Sequence, residues 1–221
     1  MKLLHVIASP RLEGSTTLKI TDALLEELSL HVPDLSVDTL DLFQADLPAI
    51  AGDNIEAKYT LLSGLPIGRE HVESWAQIER EIERFRAADA YVISAPMWNF
   101  GIPYALKYYI DCLVQPGYLF RFSEQGYPVP MLEGKRMVVV ASSGSDYSAT
   151  SPLHALDFYE PYLRTIFGFV GIGDVTFIRA HAVDVSPASR EASIAEAIGQ
   201  AKEVASSDAW RQLTAAGLTA A

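Results

Sequence analysis

The stretch Leu3-Leu4-His5-Val6-Ile7-Ala8, followed by Ser9-Pro10-Arg11 and Gly14-Ser15-Thr16-Thr17, decides the fold class. Its first six residues form a near-continuous apolar run without alternation, as in a central parallel strand covered on both faces. A short polar loop follows. Ser15 then opens a helical pattern whose apolar stripe is Leu18, Leu24, Leu25 and Leu28, closed by Pro33. Strand, loop and helix in this order begin an α/β unit.

Working outward, the alternation recurs. Val37 to Leu42 mixes apolar and polar residues and suits an outer strand. Gln44 to Gly68 carries Pro48, Gly52, Gly64, Pro66 and Gly68, a loop with one short helix around Ile55 to Leu62. Glu70 to Ala88 is an amphipathic helix with Trp75, Ile78, Ile82 and Phe85 on its core face. Ala90 to Ala95 is the third strand, and Ile102-Pro103 begin a helix through Cys112. Phe120 to Ser123 and Tyr127 to Met131, around Gly126, read as a small hairpin excursion. Arg136 to Ala141 and Val175 to Ala180 are the last two sheet strands, and Ser189 to Ala205 is the final helix. Between them, Ala155 to Phe169 is expected to be a helix bent or split by Pro161. The expectation is one domain over residues 1–221: a doubly wound α/β fold with a five-stranded parallel sheet and a hairpin.

Composition narrows the partners. Of 221 residues, 49% are hydrophobic and 20% charged, which is globular. Seventeen Lys and Arg against 28 Asp and Glu give a net charge of −11, which argues against nucleic acid or anionic membranes as partners. A bound phosphate is therefore expected to rest mainly on amides and hydroxyls. The lone Cys112 allows no internal disulfide and reads as a buried thiol. The N-terminal apolar run is too short for a signal-peptide core and no stretch approaches membrane-spanning length, so a cytoplasmic protein is expected.

Three loops lie just past strand-like runs: Ser9 to Thr17, Pro96-Met97-Trp98-Asn99-Phe100, and Ser142-Ser143-Gly144-Ser145-Asp146-Tyr147. Open parallel sheets bind ligands outside the carboxyl ends of their strands, so these loops describe one pocket. In the first, Gly14 admits a close backbone approach, and Ser15, Thr16 and Thr17 place three hydroxyls at a helix N-terminus that can hold an anion. Alone, this is equally an ordinary helix cap. In the second, Asn99 both donates and accepts, and Trp98 and Phe100 offer flat apolar area. The third adds hydroxyls around Gly144. Together they suit a phosphorylated, flat, aromatic cofactor, flavin mononucleotide (FMN). There is no nucleoside-triphosphate loop, no G-x-S-x-G elbow, and His5, His31, His71, His154 and His181 show no metal-ligand spacing. His5 and His181 read as structural.

At these residues the chain resembles the FMN-dependent NAD(P)H azoreductases and quinone reductases of the flavodoxin-like fold. The likeness runs through Ser9-Pro10-Arg11, Pro96 to Phe100, Phe120-Arg121-Phe122 and Gly168-Phe169-Val170-Gly171-Ile172. The P-M-x-N-F segment is the specific one. The resemblance implies a homodimer with two interfacial sites, NADH or NADPH as donor, and ping-pong reduction of quinones and azo compounds. It implies that Ser9, Ser15, Thr16 and Thr17 hold the phosphate and ribityl chain. Pro96 opens the loop whose Met97, Trp98, Asn99 and Phe100 contact the ring, and Ser142, Ser143, Gly144 and Ser145 close over its polar edge. Where the family often has Tyr, Ser and Gly, this chain has Trp98, Thr17 and Ser145. Phe122, Tyr127 and Phe169 are candidate walls of an acceptor pocket. A flavodoxin-type electron carrier shares the cofactor but needs no such walls, so the aromatic excursion favours an enzyme.

Overall fold

The computed structural model describes residues 1–11 and 13–210, so Leu12 and the end of the expected domain, 211–221, lie outside it. Five parallel strands form the sheet: β1 (Lys2–Ile7), β2 (Ser36–Asp41), β3 (Ala90–Ser94), β6 (Arg136–Ser142) and β7 (Asp174–Ala180). Their order is β2-β1-β3-β6-β7. The chain first steps outward from β1 to β2 and then returns to the other side of β1, so strand order reverses between β1 and β3. A crevice opens at that place, above the carboxyl ends of both strands.

Helices cover both faces. On one side α1 (Thr16–His31) packs against α6 (Pro187–Ser206), over a core of Leu3, Ile20, Leu24, Val92, Val138 and Ile178. On the other lie α3 (Val72–Arg86), α4 (Tyr104–Leu113) and α5 (Tyr159–Val170), over Leu4, Val6, Ile82, Tyr91, Ile93 and Val139. Alternate residues of the central strands β1, β3 and β6 thus enter opposite cores, which is why these strands show no polar face, whereas the edge strand β2 is largely exposed. The short α2 (Asp53–Leu62) interrupts the long loop after β2.

One local expectation needs correction, and the expected hairpin is present. The helix expected over Ala155 to Phe169 is split into a 3-10 turn at His154–Leu156 and α5, but the break falls at Asp157 and Phe158, and α5 runs uninterrupted through Pro161. Pro161 falls in the first turn, where its missing N–H has no intrahelical partner to lose. The excursion is a two-stranded ribbon, β4 (Phe120–Phe122) with β5 (Pro128–Pro130), separate from the main sheet. Cys112 is buried, its thiol beside the Pro48 carbonyl, and burial pushes its pKa up to about 12. Among the described residues no helix is long and apolar enough to cross a membrane, and no acidic, His or Cys group could hold a metal.

Candidate functional site

A cleft of about 370 Å³ lies above the switch point, a size suited to a cofactor. Ser9, Gly14, Ser15, Thr16 and Thr17 line it from the first loop, and Pro96, Met97 and Trp98 from the second. Ser142 and Gly144 line it from the third. The loops are stitched together by continuing the sheet ladder past the strand ends. Ala8 N–H donates to Ser94 O (2.8 Å), and Met97 N–H to Ser142 O (2.8 Å).

The first loop is built as a donor cluster. Ser15 caps α1, accepting from Leu18 N–H at 3.3 Å. Its hydroxyl also meets Ser9 Oγ at 3.0 Å and Thr17 Oγ1 at 2.9 Å. The amides of Thr16 and Thr17 begin the helix and so have no intrahelical acceptor. Beneath them, Thr21 Oγ1 donates to Thr17 O (2.9 Å) and meets Ser94 Oγ (2.7 Å), which meets His5 Nε2 (2.9 Å). This buried polar chain ties the helix start to β1 and β3. Burial holds the His5 pKa down at about 4, so the ring is neutral.

The second loop is a tight turn. Trp98 and Gly101 exchange both backbone hydrogen bonds at 2.9 Å, with Asn99 and Phe100 between them at φ 47° and 70°. That is the two-residue turn with both central residues left-handed, a geometry in which Asn is at home and a bulky side chain is strained. The turn is held from behind: Phe158 N–H donates to Phe100 O at 3.0 Å. Asp157 Oδ1 in turn caps α5, accepting from Tyr159 N–H (2.9 Å) and Glu160 N–H (3.2 Å), and its other oxygen pairs with Arg179. Asn99 and Phe100 themselves stand exposed at the tip and do not line the cleft.

The third loop is clasped by the segment after β7. Ala182, Val183 and Asp184 N–H donate to the carbonyls of Ser145, Ser143 and Gly144, each at 3.1 Å. Gly144 lets the two segments approach closely: a Cβ on it would lie 2.8 Å from Asp184 Oδ2 and would push that side chain aside. Ser143 is buried behind the loop, its Oγ donating to Ser145 O (2.9 Å) and meeting His181 Nδ1 (3.2 Å). Neither Ser143 nor Ser145 lines the cleft. His181, expected as a structural residue in a strand, sits just past β7, bracing this loop; burial and then Arg179 lower its pKa.

Sequence reasoning missed Val183, Asp184 and Arg190, which complete the cleft. The signal was available: they follow the apolar run ending at Ala180, a fourth strand end of the same kind. Conversely, the expected acceptor walls are not brought to the cleft of their own chain. Tyr159 begins α5 beside the cleft, its hydroxyl donating to Ala95 O. Phe169 lies in the last turn of α5, roughly 15 Å further along at 1.5 Å per residue. There it packs on Phe120, with ring centroids 4.8 Å apart, and Phe120 packs on Phe122. Phe122 and Tyr127 are exposed on the ribbon.

The profile of a family described as having the flavodoxin-like fold matches residues 1–205. The chain belongs to the flavodoxin-like fold family. Within it, this flavodoxin-like chain is 40% identical over 205 residues to FMN-dependent NADH:quinone oxidoreductase 2 of Pseudomonas syringae pv. tomato, covering 93% of this chain and 98% of the relative. It is 37% identical over 204 residues to the FMN-dependent NADH:quinone oxidoreductase of Nitratidesulfovibrio vulgaris, covering 92% and 97%. Among solved structures, an FMN-dependent NADH-azoreductase from Bacillus anthracis in complex with FMN superposes with a TM-score of 0.82 at 27% identity, covering 93% of this chain and 97% of that one.

Proposed function

We propose that this chain is an FMN-dependent oxidoreductase that passes two electrons from NADH or NADPH to quinones and aromatic azo compounds. The observation that carries the reading is the division of one cleft into a hydroxyl-rich end at the start of α1 and a flat apolar end at Met97 and Trp98. The residues fit FMN. Ser9, Ser15 and Thr17 now hydrogen-bond one another, and an anion with no proton to offer accepts from all three while the α1 amides face it. Gly144 keeps the third loop slim where it lines the cleft beside Asp184. The similarity to the FMN-dependent relatives supports the same assignment.

Bound there, FMN supplies the electron-pair transfer itself. The protein's part is positional. The first loop would hold the phosphate, and Met97 and Trp98 would border the ring, with Asn99 and Phe100 forming the turn that carries them. Ser142 and Gly144 would lie along the ring's polar edge, with Ser143 and Ser145 bracing them from behind.

The acceptor pocket is completed by a second copy. Phe122, Tyr127 and Phe169 do not line their own cleft, and this reading assigns them to the wall of a partner's. An open apolar groove of about 520 Å³ beside the second loop, lined by Ile102, Phe158, Pro161 and Tyr162, offers a contact face, with Phe158 61% exposed. The reading places the chain in the cytoplasm, where its reduced nicotinamide donors are. The purified protein should be yellow, release FMN on denaturation, bleach anaerobically with NADH or NADPH, and give parallel double-reciprocal lines with a quinone. A colourless protein that cannot be reconstituted with FMN would sink the reading, and a fully active monomer would sink the shared pocket.

A further inference from the structure

The charge balance of the chain is −11, yet its cleft is read as holding a dianionic phosphate. Two cationic side chains line that cleft, Arg11 and Arg190. Arg190 is the better placed. It stands in the first turn of α6, the helix packed against α1, whose N-terminus opens onto the same cleft. Its Nε–H donates to Val183 O and one Nη2–H to Asp184 Oδ1, both at 2.8 Å. Both acceptors belong to the segment laddered onto Ser143, Gly144 and Ser145, so the guanidinium is fixed to the cleft wall and not merely tethered by its own flexible stem. Its Nη1 group makes no hydrogen bond to the described residues. The planar fork is thus held on one side and leaves donors on the other.

We propose that Arg190 is a phosphate-binding residue, set by Asp184 and Val183 to close the anionic end of the cleft opposite the first turn of α1. This deepens the flavin reading and rests on it. The hydroxyls and amides of the first loop then bind one side of the phosphate, and Arg190 supplies the full positive charge that those neutral donors lack. Asp184 has a dual part: it orients the guanidinium and partly offsets its charge, which keeps the arginine in place when the phosphate is absent.

The test compares FMN with riboflavin, which differ only in the phosphate, by fluorescence titration of the flavin-stripped full chain at several salt concentrations. Wild type should bind FMN far more tightly than riboflavin; if it does not, the flavin-phosphate reading itself fails. Arg190→Gln should lower the FMN-to-riboflavin affinity ratio about ten-fold, the scale of one charge-assisted hydrogen bond. It should leave the riboflavin Kd within about two-fold and flatten the salt dependence of FMN binding. Arg190→Lys, which keeps the charge but not the fork, should retain the salt dependence. An unchanged ratio in Arg190→Gln overturns the proposal. So does an equal loss for both flavins, which would make Arg190 a brace of the third loop and nothing more.

Discussion

The two ends of the cleft are built by opposite means. The phosphate end is buried and cross-linked: Ser9, Ser15 and Thr17 are almost fully covered, and a polar chain through Thr21, Ser94 and His5 roots them in the sheet. The ring end is exposed and held from outside, with Trp98 and Phe100 open to solvent on a left-handed turn anchored through the start of α5. On the proposed reading, one end of the cleft is a self-contained anchor and the other is an open face.

The strongest way to break this contrast is at the phosphate end. Ser15→Ala with Thr17→Ala should cost about 3–6 kcal/mol of FMN affinity, two lost hydrogen bonds to a charged group, against about 1 kcal/mol of cap stability. Riboflavin affinity should change far less, and equal losses for both flavins would refute the assignment. At the ring end, Arg179→Met leaves Asp157 buried without its partner and should destabilise the fold by about 3–5 kcal/mol in urea titrations. A loss below 1 kcal/mol would show that the turn is anchored elsewhere.

The polar chain beneath the phosphate end makes a pH prediction. His5 has a folded pKa of about 4 against an ordinary 6.5, so the unfolded chain binds the extra proton between those values. Its contribution is complete above pH 6.5 and lost as pH falls towards 4, roughly 3 kcal/mol in all. His5→Asn should flatten the stability profile across that window; an unchanged slope would mean His5 is not its source. The smallest effect belongs to the turn. Phe100→Gly relieves a left-handed φ but loosens the unfolded chain, so stability should stay level or rise by up to about 1 kcal/mol. A clear loss would show that the Phe100 ring packs more firmly than its exposure suggests.

Most of the architecture was legible because each strand is an apolar run ending in a polar loop. The five strands, their helices and the three site loops follow from that pattern. Other features were hidden for physical reasons. Pro161 looked like a breaker because sequence does not show that Asp157, four residues earlier, caps the helix and so places the proline in its first turn. The second loop carried half of its turn signal in Asn99, but Phe100 is an unexpected neighbour in that geometry. Asp184 and Arg190 reach the cleft from beyond Ala180, a fourth strand end whose segment 181–186 has no glycine to mark it as a site loop. The position of Phe169 follows from helix length and direction, so its distance from its own cleft emerged only with the fold.

That distance carries a genetic consequence. If each ribbon walls the cleft of the other copy, then a Ser15→Ala/Thr17→Ala chain and a Phe122→Ala chain damage different halves of the same composite site. In a mixed pair, one site would combine both lesions and the other would contain neither. Co-expressing two individually impaired alleles should therefore restore roughly half the wild-type turnover per mixed dimer.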